Sequence, residues 1–234
     1  MKPWIELGTA HIPNDGGLLT LRQREQEFSI SLSGPRGELM NSRRFHSEQQ
    51  LSVLGCAHLR NHNNARVVVG GMGMGYTLAA ALETLPPSAE VIVADLIPEV
   101  VEWNRGPLGA CAGRPLNDSR VEVHIGDVGE LLKGGSGYDA VLLDVDNGPE
   151  GLTHSDNNWL YSVEGTSCIY SCLAPDGVLA VWSASPDAVY STRLKKAGFQ
   201  VEVVTVRERP GKGARHAIFL ARKTAVQRTK LAGQ

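Results

Sequence analysis

Apolar residues in this chain fall into two kinds of run, and the difference predicts the fold. Val67, Val68 and Val69 form an unbroken β-branched run, as do Val91, Ile92 and Val93. Such runs suit strands buried on both faces, as in a parallel sheet covered by helices. Val121 to Ile125 and Ala140 to Leu143 continue the series, and between these strands Thr77 to Leu85 has a helical pattern. Further on, Asn158 to Leu173 reads as a helix, Gly177 to Ser183 as a strand and Pro186 to Ala197 as a helix, with Gly198 just past its end as a C′ glycine. Phe199 to Val206 and His216 to Ala221 flank the turn segment ERPGKGAR and read as a closing hairpin. The result is an α/β chain of repeated βα units.

The first 45 residues follow another rule. Gly17 to Arg22 and Glu27 to Ser33 alternate apolar and polar residues between glycine-rich breaks, which predicts a β-hairpin. Ser47 to Leu59 then returns to a helical period and leads into the first sheet strand. The expected organisation is a small β appendage over residues 1–45, a Rossmann-like domain over 46–222 and a polar tail over 223–234.

Composition narrows the possible partners. The chain has 234 residues, enough for one sizeable core, and its 23 basic and 25 acidic side chains give a formal charge of −2. That balance offers no electrostatic case for nucleic acid or an anionic membrane. No apolar run approaches the roughly 20 residues that cross a bilayer, and the opening MKPWIELGTA lacks a signal peptide's apolar core, so a cytoplasmic protein is expected. Cys56, Cys111, Cys168 and Cys172 show no CxxC spacing, and the seven histidines form no HxH or HExxH motif. No metal site is expected.

The chemistry-bearing residues gather at strand ends. After Val69 comes GGMGMG, in which Gly71, Gly73 and Gly75 allow a tight turn against a ligand. Asp95 closes the next strand about 20 residues on, where a carboxylate accepts hydrogen bonds from ribose hydroxyls. The spacing G-x-G-x-G is shorter than the dinucleotide fingerprint and suits a ligand without a pyrophosphate. Gly126 and Asp127 end the third strand; Asp144, Asp146 and Asn147 follow the fourth. In an open parallel sheet these carboxyl ends converge on one crevice.

With these motifs the chain resembles class I S-adenosylmethionine-dependent methyltransferases and, among them, the spermidine synthase branch. The matching pieces are GGMGMG at 70–75, Asp95, Gly126-Asp127, YDAVLLD at 138–144 and LAPDGVLAVW at 173–182, within a resemblance over roughly residues 38–222. It implies a seven-stranded, mostly parallel sheet of order 3-2-1-4-5-7-6 preceded by a short N-terminal β appendage. It also implies an adenosyl-sulfonium cofactor held by Gly71, Gly73, Met74, Gly75, Asp95, Gly126, Asp127 and Asp144, with the ribose on Asp95 and the adenine at Asp127. A homodimer is expected on the same ground.

The resemblance also places Asp144 where spermidine synthases carry the carboxylate that receives the amine proton. Three departures stand beside it. The family's D-S-S-D-P is replaced by D-V-D-N-G-P, which leaves Asp146 or Asn147 as the second polar group or as plain turn residues. The glycine-loop aspartate that helps hold the aminopropyl amine in the family is Met74, and a thioether cannot replace a carboxylate in binding an ammonium. The family's Tyr-Gln-Glu or Tyr-His-Glu becomes His46-Ser47-Glu48. These departures lead to an expectation of methyl transfer from intact S-adenosylmethionine to a small-molecule nucleophile. Aminopropyl transfer from decarboxylated S-adenosylmethionine is the alternative, and a non-catalytic adenosyl-binding subunit a third reading.

Substrate selection is expected between Asp144 and the next strand, where Asn157, Asn158, Trp159 and Tyr161 combine flat apolar surface with polar tips. Trp159 and Tyr161 read equally as packing at a helix start. Trp182 is a candidate for the pocket floor. His46 and Glu48 are candidate substrate contacts, although capping of the helix by Ser47 accounts for the same residues.

Overall fold

The computed structural model describes residues 2–13, 16–34, 37–145 and 158–224. Asp146, Asn147 and Asn157 lie outside them.

Seven strands form the main sheet: β5 (Arg66–Gly70), β6 (Glu90–Asp95), β7 (Val121–Ile125), β8 (Tyr138–Leu143), β9 (Leu173–Ser183), β10 (Gln200–Arg209) and β11 (Lys212–Arg222). They lie in the order β10-β11-β9-β8-β5-β6-β7, which is the expected 3-2-1-4-5-7-6 read from the other edge. Pairing is parallel from β7 through β9, and β11 is antiparallel to both β9 and β10. The unbroken apolar runs are explained by the two cores they feed. Val67 and Val69 enter one with Leu51, Leu78 and Trp103, while Val68 enters the other with Leu132, Ile169 and Tyr190. All three valines are fully buried, so no polar residue fits between them.

Helices α1 (His46–Gly55), α2 (Tyr76–Thr84) and α3 (Pro98–Arg105) contribute to the first core. Helices α4 (Val128–Gly134), α6 (Val163–Cys172) and α7 (Ala188–Lys196) contribute to the second, together with the short α5 (Asn158–Tyr161). Ser162 divides the expected helix over Asn158 to Leu173: its backbone is extended and its hydroxyl accepts the Gly165 N–H, capping α6.

The N-terminal appendage is larger than the expected hairpin. It is a four-stranded antiparallel sheet of β1 (Ile5–Ile12), β2 (Gly17–Arg24), β3 (Glu27–Leu32) and β4 (Gly37–Asn41) in sequential order. Strand β1 has an irregular register between Glu6 and Gly8, and β4 has only five residues, so neither shows the alternation that marks β2 and β3. Leu19, Leu21, Ile30 and Leu32 of this sheet join the first core, which fixes it against the glycine-loop end of the main sheet. Gly8 sits against the indole of Trp103 on α3. Among the described residues no helix is long and apolar enough to cross a membrane.

Candidate active site

The glycine turn closes the site because side chains are excluded from it. Gly71 has φ of +90°, and a Cβ there would collide with the carbonyl oxygen of Asp144; the Asp144 N–H donates to the Gly70 carbonyl at 2.9 Å. The β5 and β8 ends are therefore locked side by side. Gly75 has φ of +84° and precedes α2, where its missing side chain leaves room for Asn104 and Met72. Asn104, on α3 and 2% exposed, donates from Nδ2 to the Gly73 carbonyl at 2.8 Å and the Val100 carbonyl at 2.9 Å. That brace holds the middle of the loop from behind, and no motif in the sequence marks it.

Asp95 reaches back under the same loop. Its Oδ2 accepts the Met72 N–H at 2.8 Å, and its Oδ1 accepts the Ile97 N–H at 2.9 Å. Burial pushes its carboxyl up, against backbone N–H groups that favour the ionised form. Each oxygen retains acceptor capacity for a ligand hydroxyl. Asp127 caps α4 by accepting the Gly129 N–H at 2.6 Å, so it is a helix cap whatever else it contacts.

Asp144 and Glu48 form the other end of the site. Thr77 Oγ1, at the start of α2, donates to Asp144 Oδ2 at 2.7 Å, and Ser52 Oγ of α1 donates to the Thr77 carbonyl at 2.5 Å. Glu48, in the first turn of α1, accepts from Ser47 Oγ at 2.6 Å. Burial pushes Asp144 up to about 6. Glu48 is pushed up to about 7, first by burial and then by the negative charge of Asp144.

These groups line one cavity of about 280 Å³. Its floor is the glycine loop, Asp95, Leu96, Ile97, Gly126, Asp127, Val128 and Asp144, and its roof is Ile12, Leu19, Leu39 and Met40 of the N-terminal sheet. Met72, Met74 and Trp182 add apolar surface. The charged residues among the described lining are Glu48, Asp95, Asp127 and Asp144, all acidic; no Lys, Arg or His stands with them.

Three of the expected substrate residues lie elsewhere. Tyr161 is 3% exposed and packs edge-on against Tyr190, 5.5 Å between ring centres, inside the second core. Trp159 packs against Gly129, with the Lys133 ammonium 4.3 Å from its ring centre, outside the cavity lining. His46 opens α1 but does not line the cavity, whereas Glu48, two residues on, does. Capping does not explain this pair, because the Ser47 hydroxyl donates to Glu48 and α1 has no side-chain cap. Thr77 and Asn104 are the contributors that sequence reasoning missed.

Residues 47–214 match the family model described as the spermine/spermidine synthase domain. The chain belongs to that family. Among solved structures, the spermidine synthase from Thermotoga maritima superposes with a TM-score of 0.72 at 18% identity, covering 93% of this chain and 72% of that one. A spermidine synthase in complex with the transition state analogue AdoDATO gives the same values. A probable spermidine synthase from Corynebacterium glutamicum gives a TM-score of 0.61 at 16% identity, with 92% and 79% covered. At such identities these likenesses establish the shared fold. No curated protein matches the chain.

Membership of the spermine/spermidine synthase family makes the chain a transferase and overturns the expectation of methyl transfer from intact S-adenosylmethionine. The physical reason lies in the lining. Met74 leaves the glycine loop without a carboxylate, but the described lining of the folded cavity still presents four carboxylates and no Lys, Arg or His.

Proposed function

We propose that this protein transfers an aminopropyl group from decarboxylated S-adenosylmethionine to an amine-bearing small molecule. The observation that carries the reading is that every charged residue among the described lining of a largely apolar cavity is acidic, in a chain of the spermine/spermidine synthase family. Decarboxylated S-adenosylmethionine is a cation at both its sulfonium and its amine and has no carboxylate. A lining of this kind favours it by direct charge complementarity and disfavours anionic ligands.

In this reading Asp95 accepts the ribose hydroxyls while the Met72 and Ile97 N–H groups hold its two oxygens in place. The adenine lies between Leu96, Ile97 and Val128 beside Asp127. The neutral amine of the acceptor attacks the methylene carbon next to the sulfonium. A C–N bond forms, the C–S bond breaks with its electron pair passing to sulfur, and methylthioadenosine leaves. Asp144 takes the N–H proton that the new ammonium must lose. Its elevated carboxyl makes it a usable base near neutral pH, and Thr77 fixes the oxygen that faces away from the substrate.

The experiment is incubation of the purified protein with decarboxylated S-adenosylmethionine and a panel of primary diamines, with methylthioadenosine release and the elongated amine followed by mass spectrometry. Stoichiometric appearance of both products is expected. Absence of both across the panel would sink the reading.

A further inference from the structure

Among the described residues, no cation pairs with the two carboxylates Glu48 and Asp144. Glu48 projects from α1 and Asp144 from the end of β8, and both line the cavity. The titratable groups whose charge bears on Glu48 are Asp144, Glu208 on β10 and Tyr76 on α2; Glu208 in turn acts on His216 of β11 and lies 4.0 Å from the Arg209 guanidine. Among the described residues, none of the groups acting directly on Glu48 or Asp144 is positive. Their side-chain hydrogen-bond donors are neutral hydroxyls, Ser47 and Thr77, and Glu48 also accepts from its own backbone N–H. Two like charges on the wall of one partly buried cavity are costly, and a proton held by the pair lowers that cost.

Resting on the aminopropyl reading, we propose that Glu48 is the residue that binds the substrate's primary ammonium, acting with Asp144 as a two-carboxylate clamp that gives up its proton when the ammonium enters. The clamp compensates for Met74, which is 4% exposed in the glycine loop and brings no charge to the site. An incoming ammonium replaces the proton as the positive charge between the carboxylates, so charge is conserved and one proton leaves to solvent for each ammonium bound. Two ligands carry such a group, the propyl arm of decarboxylated S-adenosylmethionine and the acceptor amine, and the two are separable by experiment. Glu48→Gln keeps the shape and hydrogen bonding of the side chain and removes its charge.

The test is calorimetric titration of the full chain at about pH 6.5 in two buffers of different ionisation enthalpy, which reads proton release directly. The probes are decarboxylated S-adenosylmethionine, a diamine added to the protein saturated with methylthioadenosine, and methylthioadenosine alone as the ligand without an ammonium. Release of up to one proton with one of the first two and none with the third is expected, and the ligand that shows it is the one the clamp holds. Glu48→Gln should abolish that release and weaken the same ligand by about thirty-fold or more, as for a buried charge pair losing one partner, while methylthioadenosine affinity stays unchanged. Glu48→Asp should restore part of both effects. Proton-neutral binding of both amines to the unaltered protein overturns the clamp, even if Glu48→Gln fails to fold. If aminopropyl transfer is absent but proton-linked diamine binding persists, the clamp stands and the reaction assignment falls.

Discussion

Thr77 and Asp144, 67 residues apart in sequence, are joined by a hydrogen bond of 2.7 Å from the threonine hydroxyl to the aspartate. The bond stabilises the ionised carboxyl against the burial that raises it. Thr77→Val keeps the shape and deletes the donor. Loss of one such bond costs about 1 kcal/mol of stability. The acid limb of the turnover profile is expected to move to higher pH, because Asp144 then holds its proton more tightly. Initial rates from pH 5.5 to 8.5 check this, and an unshifted limb would separate Asp144 from the proton transfer.

The carboxylate pair makes the empty protein's stability fall with pH. Both folded-state carboxyls are raised, Asp144 to about 6 and Glu48 to about 7, from ordinary values of 3.8 and 4.5. The folded state therefore binds protons more tightly than the unfolded chain. The resulting stability is fully present below about pH 4 and is lost as pH rises through about 6 to 7. Glu48→Gln should stabilise the unliganded protein at pH 8 by roughly 3 kcal/mol, the order expected of a carboxyl raised from 4.5 to about 7. Denaturant midpoints at pH 5 and pH 8 measure the effect. A variant less stable than the parent at pH 8 would show that the pair is not repulsive.

Asp95→Ala removes the acceptor for the Met72 and Ile97 N–H groups as well as the proposed ribose contact. Affinity for methylthioadenosine should fall at least a hundred-fold, the order of about 3 kcal/mol. The far-ultraviolet circular dichroism should be retained. Normal affinity would take Asp95 out of the binding site.

Gly71→Ala places a Cβ against the Asp144 carbonyl at a backbone angle suited to glycine. The β5 and β8 ends must then part, at a cost of several kcal/mol in stability. Adenosyl ligands should no longer bind. Melting temperature and titration together distinguish this from a change confined to the surface, which would leave both unaltered.

Met74→Asp puts a carboxylate at a position that is 4% exposed and already faces acidic neighbours. The unliganded variant should melt several degrees lower, and decarboxylated S-adenosylmethionine should recover more stability than it confers on the parent. Equal ligand-induced shifts in the two proteins would place position 74 away from the ligand's charge.

The sheet order was legible because buried parallel strands leave unbroken valine runs, and the cofactor end because each run stops at a glycine or a carboxylate. Strands β1 and β4 escaped notice because a register irregularity and a length of five residues erase the alternation that betrays an exposed strand. Tyr161 reads from the sequence either as a substrate contact or as helix packing, since an aromatic ring with a polar tip looks the same facing a cavity or a core. Glu48 was visible but indistinct from His46, because only the path of α1 decides which of them faces inward. The expectation of methyl transfer weighed three local departures, at Met74, at D-V-D-N-G-P and at His46-Ser47-Glu48. The charge of the described cavity wall belongs to four residues, one on α1 and one at the end of each of β6, β7 and β8, and exists only after folding.

The roof of the cavity comes from residues before position 42 and its floor from residues after position 70. What the protein grips and what it excludes are thus written in separate stretches of chain. A change in Leu39 or Met40 can reshape the upper part of the cavity without disturbing the strand ends at its floor. Such a division lets the roof change while the strand ends at the floor stay as they are.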